Sequence, residues 1–564
     1  MTDTTKKTLK DSAAMRWLAL ILVSGLMMAT YWFQDFFSGL KDMMETQMGF
    51  TSEEFGRLIG LTTIANMFGM IIVGGMILDK WGIRIAGLAF GSLAVLGGAI
   101  TAMGAAGVFG EAHSTQLTTM IIGRILFGSG LEVVCVVATT TMVKWFKGYE
   151  LALAMAINMG FGRLGSAMGI ALSPDISGTV SPAVTFAAAL MGVTLIMFVI
   201  YVFFDIKLDK QLKANKAAEV TEGSQEEEEE FKFSDLFKLL RNKSFIYIAL
   251  LCVAFYAAVF PFIQYAPDLL INKFNFTSVL PEGGFQINGS TSFGTAVIYI
   301  GLFIYALMFS IVPGKMKTAS KKTLSVILIV GSFALLAYLL RDTFAIWFKN
   351  GSKTASLIPL GTIIFTPIFG NYVDRKGKAA SLMILGSLLL IYAHLSLSIF
   401  NNVILAYSGL ISLGIAFSLV PAAMWPSVAK IVSQNRLGTA YSTMFTIQNW
   451  GLGAFFWGIG ALLQAVNPKV VANRQALNAK LEGLGLSQSE ISQEIIKMKD
   501  PNIISEFGEY TQQYIYDYTI PIFILVICGV ISIFLAYKLK QADKKQGYGL
   551  ELPSGAEAPN AENN

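Results

Sequence analysis

Apolar residues along this chain come in runs of about twenty, and a run of that length, at about 1.5 Å per helical residue, reaches across the hydrocarbon of a bilayer. Six runs, near 15–37, 55–78, 82–106, 117–143, 150–173 and 181–204, fill the first part of the chain. A polar stretch follows, about 205–243, with five consecutive glutamates, Glu226 to Glu230, among lysines and serines; it reads as a solvated linker. Further runs lie near 244–268, 292–313, 322–341, 354–373, 379–399, 402–426, 438–464 and 519–538, so the pattern predicts an all-α polytopic membrane protein of fourteen spans.

Two polar punctuations between these runs share one pattern, Gly-x3-Asp-Lys/Arg-x-Gly. The first is Gly75, Asp79, Lys80, Gly82 with Arg84 following; the second is Gly370, Asp374, Arg375, Gly377. A loop repeated between two apolar runs implies a duplicated membrane domain. The aspartates are 295 residues apart, whereas six spans and a linker need only about 200. One inserted helical hairpin, 292–341, restores the register and leaves both copies in the same orientation. The predicted organisation is a tail 1–14, a six-helix bundle 15–204, a linker 205–243, a second bundle 244–538 and a tail 539–564. The second bundle contains the hairpin and a polar segment, 465–518, whose Leu, Ile and charged residues fall at helical spacing. Lysines and arginines gather in alternate loops, which by the positive-inside rule places both termini, the repeated loops and the hairpin turn Gly314 to Lys322 in the cytoplasm, and 465–518 outside.

Composition agrees: 54% of the 564 residues are hydrophobic and 14% charged. The formal charge of +5 reports membrane orientation, not a nucleic-acid partner. Cys135, Cys252 and Cys528 lie inside apolar runs and read as packing residues, and the two histidines, His113 in an outer loop and His394 in a span, form no metal cluster. Gly160, Gly162 and Gly165 match the GxGxxG dinucleotide fingerprint, but the residues before them are an apolar helix where the fingerprint needs a strand. Small residues permitting close helix approach are the better account. No cofactor, metal or ATP-driven motor is expected, and no protein partner is legible.

The repeated loop, the six-plus-six arrangement and the stretch Gly123, Arg124, Phe127, Gly128, Gly130 resemble the major facilitator superfamily. Trp145 to Leu151, Arg163 to Ser166, Phe255 to Phe262, Trp425 to Ala429, Leu437 to Tyr441 and Ile447 to Asn449 are similar to one branch of it, the lysosomal dipeptide transporters of animals and their bacterial relatives. The resemblance implies two six-helix bundles rocking by alternating access, here with an added hairpin, and no enzymatic activity.

Charged side chains at mid-bilayer cost about 2.5–3.5 kcal/mol each on insertion scales, so they mark function by default. Glu132 and Arg163 lie about fifteen residues either side of the Lys147-Gly148 turn, so antiparallel spans bring them to similar depth. They read either as a structural ion pair or as a clamp. The resemblance implies a role for both in substrate binding, with Glu132 on the ammonium of a zwitterionic peptide and Arg163 on its carboxylate. Tyr31 and Asp35 in span one, Tyr256 and Gln264, and Trp425, Gln448 and Asn449 are further substrate-binding candidates. Asp35 reads alternatively as a proton shuttle or as solvated near the membrane edge. Arg124, eight residues before Glu132, is assigned to coupling or to packing against span one, while Asp79, Lys80, Arg84, Asp374 and Arg375 form gate latches. Dipeptides are the favoured cargo, with protons as a candidate co-substrate. A small anion such as nitrate or a dicarboxylate, bound by Arg163 with Glu132 as structural partner, is the alternative, and a non-transporting sensor a further one.

Overall fold

The computed structural model describes residues 7–218, 239–278, 280, 283–433, 436–483 and 514–553 and is almost entirely helical over them. Eleven helical segments among the described residues are long and apolar enough to cross a membrane by length and composition. Span one is a pair of helices, α1 (Ala13–Asp35) and α2 (Phe37–Met48), joined through Phe36. It continues past the expected end near 37 because the charged residues of α2 find partners inside the protein. Next come α3 (Ser52–Gly60), α4 (Ile64–Met67) and α5 (Met70–Ala105). A capping box starts α3: the Thr51 hydroxyl accepts the Glu54 N–H and the Glu54 carboxylate accepts the Thr51 N–H. α5 is broken at Gly82, which divides it into arms 70–81 and 83–105, so the first repeated loop is this break. α6 (His113–Phe146), α7 (Leu151–Leu172) and α8 (Val180–Ala218) complete the N-terminal set. His113, expected in a loop, is the first residue of α6 and pairs with Glu54 at 2.9 Å.

α8 runs past the expected end of its apolar span near 204, to Ala218. Asp205 and Asp209 do not end the helix because Lys144 and Arg84 reach them from α6 and α5, at 2.8 and 2.6 Å. Glu226 to Glu230 lie outside the described residues. The remaining helices are α9 (Lys243–Phe274), the hairpin α10 (Thr291–Lys315) and α11 (Ala319–Leu339), the short α12 (Arg341–Trp347), then α13 (Gly351–Lys376), α14 (Ala379–Ser398), α15 (Val403–Ile431), α16 (Leu437–Val466), α17 (Val470–Glu482) and α18 (Thr519–Gln546). α18 also outlasts its expected end at 538.

Within the N-terminal set α1 packs on α6, α7 and α8; within the C-terminal set α9 packs on α13, α16 and α18. The sets meet along three seams, α2 with α9, α3 with α16, and α7 with α13, and hairpin helix α10 lies against both α7 and α13. Two of these contacts are built on proline. Pro267 has no N–H for the Ile263 carbonyl one turn back, and Ser38 of α2 donates to that carbonyl instead at 2.8 Å. Pro367 similarly frees Ile363, whose carbonyl accepts from Ser310 of α10 at 3.3 Å. α11 packs on α10 and α12 and is otherwise little buried.

The repeated loops share a backbone device. Gly82 has φ 78° and ψ 173°, Gly377 φ 70° and ψ −132°, both outside what a side chain tolerates. At Gly377 the C-terminal tail lies against the loop: the Lys378 N–H donates to the Glu551 carbonyl at 3.0 Å, and the Glu551 carboxylate caps α14 through the Ser381 N–H at 2.9 Å. We call the side carrying these loops and the tail the terminus face, and the opposite one the far face.

Gly82→Ala and Gly377→Ala should each cost about 1–3 kcal/mol. Gly75→Ala and Gly370→Ala, where an added Cβ meets open space, should stay within about 0.5 kcal/mol of the parent. Thermal unfolding of the purified protein checks this, and equal losses at all four positions would contradict the turn assignment.

Candidate functional site

Span one is interrupted at Phe36, which leaves carbonyls near the break without an intrahelical partner. Arg124 of α6 supplies it. Its guanidinium is fully buried, donating to Phe33 O at 2.8 Å, Thr62 Oγ1 at 3.0 Å and both Gln34 oxygens at 3.3–3.4 Å. The rings of Phe33, Phe37 and Phe127 surround it, centroids 5.1–5.6 Å away. Of the two roles expected for Arg124, the contacts are those of packing against span one.

The glycine stripe of α7 brings that helix onto α1. A Cβ at Gly165 would lie 2.1 Å from Met28 O and one at Gly169 2.7 Å from Trp32 O, while Gly162 carries the ring of Tyr31. The GxGxxG match is therefore a helix-packing stripe. Its consequence is to set Arg163 and Ser166 beside Tyr31 and Asp35. Asp35 is buried, not solvated: one carboxylate oxygen accepts the Ser166 hydroxyl and the other Gln264 Nε2 of α9 at 2.7 Å, a bond between the two sets. Asn158 of α7 accepts the Ser24 hydroxyl of α1 at 2.8 Å.

Arg163 is half-buried and its guanidinium sits 4.4 Å over the ring of Phe417, in α15 of the opposite set. Phe417 belongs to an aromatic wall. Tyr256 and Phe260 stack at 5.4 Å, Phe260 meets Phe417 at 5.3 Å, Trp425 donates to the Tyr256 hydroxyl at 3.1 Å and stacks on Phe445 at 4.8 Å. Glu132 is also half-buried. It makes no hydrogen bond or ion pair with the described residues, Arg163 included. Tyr31 lies within electrostatic reach of both Glu132 and Arg163, and Tyr256 and Asp35 within reach of Arg163. The structure thus gathers Glu132, Arg163, Tyr31, Asp35, Gln264, Tyr256 and Trp425 around one seam. Gln448 accepts from the Cys252 thiol of α9 at 3.3 Å, and Asn449 donates to Phe445 O at 2.9 Å.

The sequence profile described as Major Facilitator Superfamily matches residues 20–352. The chain belongs to that superfamily. It is 26% identical over 462 residues to the zebrafish (Danio rerio) lysosomal dipeptide transporter MFSD1, covering 79% of this chain and 80% of that protein, and 26% identical over 466 residues to the mouse (Mus musculus) protein of the same name, covering 80% and 81%. A bacterial homologue of the human lysosomal transporter Spinster, solved inward-facing and unoccupied, superposes with a TM-score of 0.56 at 12% identity over 94% of this chain and 99% of that one. This major facilitator is a multi-pass membrane transporter of a small molecule, not an enzyme.

The residues of the repeated loops occupy the terminus face. Asp79, Lys80, Asp374 and Arg375 are exposed there, and Arg84 is fastened to Asp209 of α8. Sequence reasoning missed a second charged cluster, at the far face. Lys41 of α2 reaches Glu45 at 2.5 Å and Asp268 of α9 at 2.8 Å, all but excluded from solvent. Arg474 of α17 reaches Asp42 at 2.9 Å, Glu45 at 3.0 Å and Asn272 at 2.6 Å, and the Tyr516 and Tyr518 hydroxyls donate to Glu45 and Asp268. Burial opposes the Arg474 charge, but Asp42 and Glu45 outweigh it and hold the guanidinium above its usual range. Lys353 of α13 is buried on Asp175 and on the Ala171 carbonyl across the third seam. The available signal was the i,i+4 spacing of Lys41 with Glu45 and of Asp268 with Asn272 inside apolar surroundings. An apolar cleft of about 760 Å³ lies between the hairpin and α13, lined by residues such as Phe309, Phe333 and Leu360 and reaching Lys353.

Arg124→Gln should cost about 3–5 kcal/mol, because it strands buried carbonyls, whereas Arg163→Gln should cost under about 2 kcal/mol. Thermal unfolding of both variants decides; equal losses would mean that Arg163 is an architectural residue like Arg124.

Proposed function

We propose that this transporter carries dipeptides by alternating access, with Glu132 binding the peptide ammonium and Arg163 its carboxylate. The observation that carries the reading is that Glu132 and Arg163 share the neighbourhood of Tyr31 without pairing to each other. Charge-assisted hydrogen bonds count most away from bulk water, and a zwitterion offers each residue the partner it lacks. The aromatic wall of Tyr256, Phe260, Phe417 and Trp425 supplies a surface for peptide side chains, and Asp35 with Gln264 ties the site to the opposite set. The two MFSD1 relatives, named as dipeptide transporters, support the same substrate class. The anion alternative needs Glu132 as the structural partner of Arg163, and the absence of that pair weighs against it.

Asp79 and Asp374, exposed at the terminus face, serve as latches that set the populations of the two facing states while leaving the substrate contacts alone. The lysines of the hairpin turn and of the repeated loops support cytoplasmic termini in a cell membrane. A cysteine placed at Thr318 should then be labelled by impermeant reagent only after the cytoplasmic side is exposed. Labelling of intact cells at that position would reverse the orientation.

Uptake into proteoliposomes tests the clamp. Each single neutralisation should abolish uptake of a free dipeptide, since one terminus is left desolvated at a cost of about 2–5 kcal/mol. Glu132→Gln should penalise N-acetylated peptides least and Arg163→Gln C-amidated peptides least. Equal damage to every substrate, with stability rescued by exchanging the two charges, would give the pair to architecture instead.

A further inference from the structure

The far face is closed by charges that belong to different moving parts. α2 carries Lys41, Asp42 and Glu45 and moves with the N-terminal set; α9 carries Asp268 and Asn272. α17 carries Arg474 and packs on α2, but it follows α16 of the C-terminal set after three residues, and Arg474 donates to Asn272 of α9 at 2.6 Å and to Tyr514 O at 3.2 Å. Two contacts therefore cross the seam in opposite senses: Lys41 to Asp268, and Arg474 to Asp42 and Glu45.

Separating two buried ions strands both charges, and a buried charge that loses its partner is strongly destabilising. Here the residue inventory avoids that outcome. The N-terminal side retains Lys41 with Glu45, already in contact at 2.5 Å on one helix. The C-terminal side retains Arg474 with Asp268, already linked through Asn272, whose Oδ1 accepts from Arg474 at 2.6 Å while its Nδ2 donates to Asp268 at 2.8 Å. Among the described charges of the cluster, only Asp42 is left over. It is the most exposed carboxylate of the cluster, with 17% of its side chain in contact with solvent.

We propose that Arg474 is a gating residue of the transport cycle that exchanges partners: it holds the far face shut on Asp42 and Glu45, and passes along Asn272 to Asp268 when the face opens. Lys41 makes the complementary exchange, giving up Asp268 and keeping Glu45. α17 is thereby part of the transport machinery whatever the substrate.

The test exploits a sign that a simple lock does not give. Nitroxide labels at exposed far-face positions Glu111 and Asn401 of the full-length protein in liposomes report closed and open populations by pulsed electron resonance distances. Asp42→Asn weakens closure and leaves each side neutral once open, so the open fraction should rise about threefold or more. Asp268→Asn also deletes a contact across the seam, yet it strands Arg474 in the open state, so the open fraction should fall by about threefold or more. Moving the carboxylate one turn, Asp268→Asn with Asn272→Asp, restores a partner for Arg474 and should return the open fraction toward the parent's; this double variant also reports if Asp268→Asn alone fails to fold. A rise in both single variants, no change in either, or a double variant that stays closed would overturn the exchange.

Discussion

An ionised side chain inside a bilayer must be met by an opposite charge, by hydrogen-bond donors or acceptors, or by water. That constraint explains most of what this chain does with its buried charges. Arg124 is met by carbonyls at the break in span one, Lys353 by Asp175, and Lys41 and Arg474 by three carboxylates at the far face. Glu132 and Arg163 stand apart. One has no ion pair among the described residues and the other only an aromatic face, and they are on adjacent helices at the seam where two moving sets meet. Architecture accounts for the first group; it does not account for the second.

The backbone obeys the same rule, and the protein uses the exceptions as joints. Prolines inside α9 and α13 free carbonyls within the membrane, and the serines that satisfy them come from across a seam or from the inserted hairpin. Such contacts are single hydrogen bonds, worth about 0.5–1.5 kcal/mol each, so they align the two sets without welding them. The ion pairs at the far face leave buried charges without partners when they part, which makes the distribution of those charges between the two sets the feature that decides how readily that face opens.

Much of this was legible in the sequence, for identifiable reasons. Spans announce themselves by length and hydropathy, and the positive φ of Gly82 and Gly377 is what a repeated glycine at a sharp turn between helices encodes. The placement of Arg163 beside Tyr31 and Asp35 was not legible, because the spacing of the glycine stripe was visible but its partner helix was not. The far-face cluster was missed because hydropathy windows end where charges begin: Lys41 and Glu45 look like the end of a span until Asp268 and Arg474, hundreds of residues away, are folded onto them. The same error shortened α8, where Asp205 and Asp209 look like the start of a linker until Arg84 and Lys144 reach them. Helix lengths in membranes are under-read wherever charges are paired across long sequence separations.

The central claim is that Glu132 and Arg163 grip opposite ends of one zwitterion. A cryo-electron microscopy map of the protein saturated with alanyl-alanine tests it most directly. The peptide ammonium should lie within about 3 Å of the Glu132 carboxylate and the peptide carboxylate within about 3 Å of the Arg163 guanidinium. A map in which Glu132 and Arg163 bind each other while the peptide lies elsewhere would contradict it.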